Sequence, residues 1–357
     1  MTTNFQKLDS LVSLFSTNNV LCVGDMMLDE YVSGPADRLS PEAPVPVIRR
    51  QKVRQVLGGV GNVAANLSAL GCNTAVFYAA ANDPEADRIK QMLATNNVTA
   101  YPFTAGTTTT KKQRIIAQKQ QICRIDSEAP LNLTKQQEDK IIHQVSTLLP
   151  HINTVLISDY NKGLITPRVA QGIIQQAIQH NRAVFVDPKG SDYTKYRDAT
   201  LIKPNLNELK IAMRQLAPEL DGIDTLDPSK PQDIEKIKGL ANTLREKLNI
   251  QQAVITLGEH GMLASNQTET IYRPTTARAV SDVSGAGDTS LALLGASFIS
   301  GTSLENSLDL ANIGAGIVVG KEGTAILSKQ ELKSTLKSMF NNESTTVWLQ
   351  TLSANCK

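Results

Sequence analysis

The sequence predicts an α/β fold: a doubly wound, mostly parallel sheet with helices on both faces, plus a small β-sheet lid. Three observations predict it. From Gly59 onward, compact apolar runs alternate with helix-length segments, the pattern of repeated βα units. Two other segments, 45–57 and 108–125, mix β-branched residues with Arg, Lys and Gln, as strands with one wet face do. Apolar residues make up 41% of the 357 positions and charged residues 20%, enough to bury a large core.

The elements follow in order. Residues 20–28 form a short apolar run closed by Gly24-Asp25, expected as the first core strand, which delivers polar residues at its carboxyl end. Helices are expected near 60–70, 84–96, 134–148, 166–179 and 231–248, and strands near 74–80, 153–158, 183–187, 199–203 and 252–257. The acid- and proline-rich stretch 216–231 reads as a surface insertion. Helices at 285–300, 303–319 and 328–340 close a single unit over 1–340, with lid strands from about 31–57 and 100–125. Residues 341–357 are a polar tail apart from Val347-Trp348-Leu349.

Lys and Arg number 36 against 34 Asp and Glu, and the net charge of +2 gives no general attraction to nucleic acid or an anionic membrane. An anionic ligand must therefore be held locally. The four cysteines, Cys22, Cys72, Cys123 and Cys356, show no paired spacing and read as reduced thiols. Neither a secretory signal nor an apolar run of roughly 20 residues is present, so the expected location is the cytoplasm.

Three segments carry chemistry. In Asp282-Val-Ser-Gly-Ala-Gly-Asp288, a glycine-rich turn runs into the apolar stretch Leu-Ala-Leu-Leu. A helix starting there would aim unpaired N–H groups at an anion, and Asp288 could take a proton from an attacking hydroxyl. A glycine-rich helix start with Asp288 as a dipole partner explains the segment equally well. In Gly58-Gly-Val-Gly-Asn-Val-Ala-Ala-Asn66, Asn62 and Asn66 share one helix face, toward a polar ligand or in tight packing. In Lys203-Pro-Asn-Leu-Asn-Glu208, Asn205 and Glu208 have capping-box spacing. Glu208 could also face a metal-bound nucleotide through water.

Taken in this order, the three segments resemble the ribokinase/PfkB-like carbohydrate kinases, whose signatures are an N-terminal Gly-Gly segment and a C-terminal D-x-x-G-A-G-D. The resemblance implies a ribokinase-like fold and ATP-dependent phosphoryl transfer with Mg²⁺. Asp288 would be the catalytic base, and Gly285, Ala286 and Gly287 the anion hole. Asn205, Glu208, Thr256, Gly258 and Gly261 would bind ATP, the last three from Thr256-Leu-Gly-Glu-His-Gly261, with Glu208 reaching the metal through water. As in some relatives, K⁺ would bind near Asp282 and 315–324.

Within that family, Gly24-Asp-Met-Met-Leu-Asp29, Ser158-Asp-Tyr-Asn-Lys-Gly163, Asp187-Pro-Lys-Gly190 and Lys321-Glu-Gly-Thr324 resemble the heptose phosphate kinases of lipopolysaccharide synthesis. This implies phosphorylation of D-glycero-β-D-manno-heptose 7-phosphate at its anomeric hydroxyl, giving the 1,7-bisphosphate on the way to ADP-heptose. The alternatives are another sugar or sugar-phosphate kinase of the family, or a silent sugar-binding regulator. Asp29, Gly58, Gly59 and Asn62 would hold the sugar. Lys189, Arg114, Arg124 and Lys162 are the candidate cations for its phosphate, with Lys119 set aside as solvated near a hairpin tip. Met27 stands where general ribokinases have a polar Asn.

Many relatives add an adenylyl-transferring domain with an H-x-G-H motif, whereas His143, His151, His180 and His260 stand apart. The expectation is kinase activity alone. Exposed lid strands predict a homodimer joined through the lid.

Overall fold

The structure, a computed structural model, describes residues 2–118, 120–277, 280–298 and 302–341. Lys119, residues 299–300 of the expected helix 285–300, and the tail from 342 lie outside the described residues.

The first apolar run divides between two sheets. Asn19–Gly24 (β1) enters the large sheet, and after a bend at Asp25 the strand Met26–Ser33 (β2) enters the lid. β2 is buried along nearly its whole length, so it reads in sequence as a continuation of β1. Arg38–Leu39 (β3) and Pro46–Val47 (β4) form a short hairpin, and Lys52–Gly59 (β5) returns to the lid. Next come Asn73–Ala80 (β6), Thr99–Thr104 (β7), Lys111–Ala117 (β8) and Gln120–Ser127 (β9). The remaining strands are Thr154–Ser158 (β10), Ala183–Asp187 (β11), Leu201–Ile202 (β12), Gln252–Thr256 (β13), Met262–Ser265 (β14) and Thr270–Arg273 (β15).

The large sheet has nine strands in the order β15-β14-β13-β12-β11-β10-β1-β6-β7, and the lid four in the order β5-β2-β8-β9. All pairings from β13 across to β7 are parallel, and β14 and β15 close the far edge antiparallel. Side chains of β1 alternate between the two cores, as the two-residue period of a strand requires. Val20 and Cys22 pack with helices 60–69, 286–298 and 304–318, while Leu21 and Val23 pack with helices 135–148, 167–179 and 231–247.

One expected lid segment lies elsewhere. Residues 99–104 pair in parallel with β6 as the edge of the large sheet. An edge strand has one wet side, so its mixed composition imitates a lid strand. Helix Thr2–Ser13 and the strands β14 and β15 had no counterpart in the sequence expectation.

Because β1, β10, β11 and β12 run parallel, the residues that follow them gather along one carboxyl edge: Asp25, Asp159, Tyr160 and Lys203, together with Asp187 at the end of β11. Open α/β sheets bind ligands at such an edge.

Candidate functional site

Asp288 sits in the first turn of helix Ala286–Phe298, almost fully buried. Asn62 Nδ2 donates to its Oδ2 at 2.7 Å, and the Tyr160 hydroxyl donates to its Oδ1 at 2.8 Å. Burial pushes the Asp288 carboxyl above the usual carboxylate range, while the two donors and nearby Lys203 oppose that shift. An ionised carboxylate held by one donor on each oxygen keeps further lone pairs for an incoming hydroxyl.

Gly285 opens the turn at φ 85°, and a Cβ there would lie 2.9 Å from Asn62 Nδ2. Asp282 braces the turn by accepting from Ser284 N at 2.8 Å and Gly323 N at 3.1 Å. Ala286 N reaches back to Val283 O at 3.4 Å and Thr289 N to Gly285 O at 2.9 Å, so the helix opens directly out of the glycine turn, and a helix start of this kind suits an anion.

Lys203 lies just beyond them, 3% exposed and 3.0 Å from Asp187 Oδ2. Burial pushes the Asp187 carboxyl up to about 7 even with this partner. A Cβ on Gly287 would lie 3.6 Å from Lys203 Nζ, so a group above the turn meets helix amides and a buried cation together. That donor set fits phosphate oxygens.

Asn205 and Glu208 form the capping box that their spacing allows, with Glu208 N to Asn205 Oδ1 and Asn205 N to Glu208 Oε2 both at 2.9 Å. The other Glu208 oxygen accepts from Lys189 Nζ at 2.6 Å. Asn205, Glu208, Lys189 and Thr256 line one cavity of about 180 Å³ with Gly285 and Asp288. Gly258 and Gly261 flank the turn between β13 and β14, at φ 61° and 98°. Lys189 is therefore brought to the Asn205–Glu208 side, not to the lid with the other candidate cations.

The Asp29 carboxylate points from β2 toward this site, receiving Arg114 at 2.6 Å. Gly58 and Gly59 let the lid approach: a Cβ on Gly58 would come within 2.5 Å of Asp29 Oδ2, and Gly59 has φ 58°. Asn62 turns its amide nitrogen onto Asp288, while Asn66 braces the same helix face by donating to Asn62 and accepting from Leu327 N.

Strand register puts Asp29, Tyr31, Arg54, Lys112, Arg114 and Arg124 on one lid face. Most of its charges are paired: Arg114 with Asp29, and Arg124 with Asp126 through two bonds at 2.7 and 2.9 Å. Lys162, at the rim, pairs with Glu128 at 2.7 Å. The Lys112 side chain is half-buried and makes no direct hydrogen bond or ion pair among the described residues; burial and the neighbouring Lys162 depress its pKa, opposed by Asp29 and Asp126 on the flanking strands.

Lys112, Tyr160 and Lys203 are the site residues that sequence reasoning passed over. Lys112 had a signal, since it lies two residues before Arg114 in an alternating strand. Tyr160 and Lys203 lie within quoted motifs, but no spacing marked their direction.

A parallel sheet with an acid-bearing glycine turn at its carboxyl edge and a polar lid above has the build of a carbohydrate kinase. The chain belongs to the pfkB family of carbohydrate kinases, whose model matches residues 17–331, and it is an ATP-dependent sugar kinase. It is 40% identical over 327 residues to the bifunctional protein HldE of Trichlorobacter lovleyi, covering 91% of this chain and 64% of that protein. To HldE of Nitratiruptor sp. it is 38% identical over 320 residues, covering 90% and 65%. The chain thus spans somewhat under two thirds of the length of these curated relatives. Among solved structures it resembles the tetrameric inhibited form of phosphofructokinase-2 from Escherichia coli, with TM-score 0.71, 17% identity, and coverage of 90% of this chain and 99% of that one. The same enzyme in complex with fructose-6-phosphate gives TM-score 0.69 at 17% identity, covering 90% and 98%.

Proposed function

We propose that the chain phosphorylates D-glycero-β-D-manno-heptose 7-phosphate at its anomeric hydroxyl, giving the 1,7-bisphosphate. The observation that carries the phosphorylated acceptor is Lys112, a half-buried cation on the inner lid face whose two flanking carboxylates, Asp29 and Asp126, are already bonded to Arg114 and Arg124. A free sugar would leave four cations, Lys112, Arg114, Arg124 and Lys162, sharing the carboxylates of Asp29, Asp126 and Glu128, whereas a remote phosphate would complete the balance. The heptose itself is supported by the likeness to the HldE proteins over nine tenths of the chain.

In this reading Asp29 and the Gly58-Gly59 turn hold sugar hydroxyls, and Lys112, Arg114, Arg124 and Lys162 surround the remote phosphate. Asp288 accepts the proton of the anomeric hydroxyl as the hydroxyl oxygen attacks the terminal phosphorus of ATP, whose bond to the bridging oxygen breaks to release ADP. The amides of the 285–287 turn and Lys203 stabilise the charge that moves onto the transferred group. Mg²⁺ retains several waters and would be held largely by the nucleotide phosphates, with Glu208 reaching it through water. Asn205 and Thr256 flank the nucleotide. K⁺ would sit by the Asp282–Gly323 contact, a place for a cation beside the anion turn. The homodimer would form along β9, an exposed edge strand whose Ile122 and Ile125 are 43% and 51% exposed.

Turnover with synthetic heptose 7-phosphate, fructose 6-phosphate and unphosphorylated heptose tests the acceptor. The reading expects the first to exceed both others in kcat/KM by at least about a hundredfold, the scale of one lost charge-assisted contact set. Preference for fructose 6-phosphate or for a free sugar would overturn it.

A further inference from the structure

We infer that Tyr160 is a positioning residue for the phosphoryl-transfer base: its hydroxyl fixes the Asp288 carboxylate, and the loop 159–164 is built to deliver that one group. The inference rests on the reading of Asp288 as the base.

The loop is held from both sides by buried carboxylates. Asp25 accepts from the backbone N–H groups of Tyr160 at 2.8 Å, Lys162 at 3.0 Å and Leu164 at 3.3 Å. Asp159 accepts from Asn161 N at 2.7 Å, from Lys195 Nζ at 2.6 Å and from the Tyr196 hydroxyl at 2.7 Å. Asn161 stands in the left-handed region at φ 55°, a turn that sends the chain back on itself.

Burying two carboxylates and a lysine to fix a short surface turn is costly unless the turn's placement matters. The side chain it places is Tyr160, which lines the same cavity as Gly285, Gly287 and Asp288 and donates its hydroxyl to Asp288 Oδ1. Burial keeps this phenol protonated far above neutrality, so it remains a donor.

The consequence concerns the proton. Asp288 is faced by Asn62 from helix 60–69, by Tyr160, by Lys203 after β12, by Asp29 from the lid and by Asp187 from the end of β11. Asp29 and Asp187 act with burial to favour its neutral form, which cannot accept a proton. Asn62, Tyr160 and Lys203 favour the ionised form. A donor lost from Tyr160 raises the pH at which Asp288 ionises, so the acid limb of activity moves upward.

The test is the pH dependence of kcat for Tyr160→Phe, which keeps the ring, and for 3-fluorotyrosine at position 160, which donates more strongly. Tyr160→Phe should lower kcat about tenfold at neutral pH and shift the acid limb up by roughly one pH unit, as loss of a hydrogen bond to a charged group does. KM for both substrates and the melting temperature should change little, and the fluorinated residue should shift the limb down. Unmoved limbs in both variants would overturn the inference, as would a limb moving the same way in each. Asp288→Asn, run alongside, separates the two readings. An inactive Asp288→Asn with unmoved limbs rejects Tyr160 alone, whereas substantial turnover in Asp288→Asn rejects the base itself.

Discussion

Lys189 Nζ lies 2.6 Å from Glu208 Oε1, joining two residues that the sequence assigned to opposite substrates. The pair stands beside Asn205 and Thr256 in the cavity that runs to Asp288. Lys189 is about half exposed, so the bond itself contributes little to stability. From this position we propose that it serves as a cation over the nucleotide phosphates.

Lys189→Met is accordingly expected to raise KM for ATP by about tenfold while leaving KM for the sugar phosphate within about twofold. Initial-rate kinetics with each substrate varied in turn would decide. A larger rise for the sugar phosphate would return Lys189 to the acceptor.

Lys112 carries the complementary prediction. A charge-assisted bond to phosphate is worth roughly 1.5–3 kcal/mol, so Lys112→Met should raise the acceptor KM by about tenfold to a hundredfold, with KM for ATP unchanged. The comparison with an unphosphorylated acceptor is the sharper measurement. If the variant weakened both acceptors alike, Lys112 would be acting on the lid and not on the phosphate.

The contrast between these lysines shows what the sequence made legible. The anion turn, the Asn205–Glu208 capping box and the Gly58-Gly59 turn are local in the chain, and local spacing foretold their geometry. The strand period also contained Lys112, once Arg114 was placed on the inner face. Lys189 and Tyr160 follow strand ends, where direction depends on partners far along the chain. Tyr160 is aimed by Asp25, 135 residues earlier, and no periodic pattern encodes that contact. The split of 20–28 between two sheets was hidden for a related reason: β1 and β2 are both buried, so hydrophobicity does not change where the chain changes sheet.

Asp25 offers a test in stability. Burial and the neighbouring Asp159 push its carboxyl from 3.8 up to about 6, against the pull of three backbone N–H groups. Between these values the folded protein holds a proton that the unfolded chain has released. This group's contribution to stability therefore falls as pH rises through the window, by on the order of 3 kcal/mol. Asp25→Asn removes the titration. The wild-type advantage over the variant should thus be greatest near pH 4 and shrink toward pH 7, and chemical denaturation across that range would measure it. Parallel curves for the two proteins would mean that Asp25 does not titrate there.

Gly285 tests whether the anion turn and the base form one unit. Its φ of 85° disfavours any side chain, and a Cβ would stand 2.9 Å from the Asn62 nitrogen that donates to Asp288. Gly285→Ala should therefore cost about 1–3 kcal/mol of stability through backbone strain. It should also lower kcat beyond what the strain explains, because Asn62 must withdraw from the carboxylate. In an Asn62→Ala background the contact that transmits this second effect is gone. The kcat loss caused by Gly285→Ala should then be several-fold smaller, while the stability loss persists. A cycle of the four proteins, with kcat and melting temperature measured for each, separates the two terms. Additive losses in kcat would mean that the turn acts on the transferred group alone, and that Asn62 reaches the base independently of it.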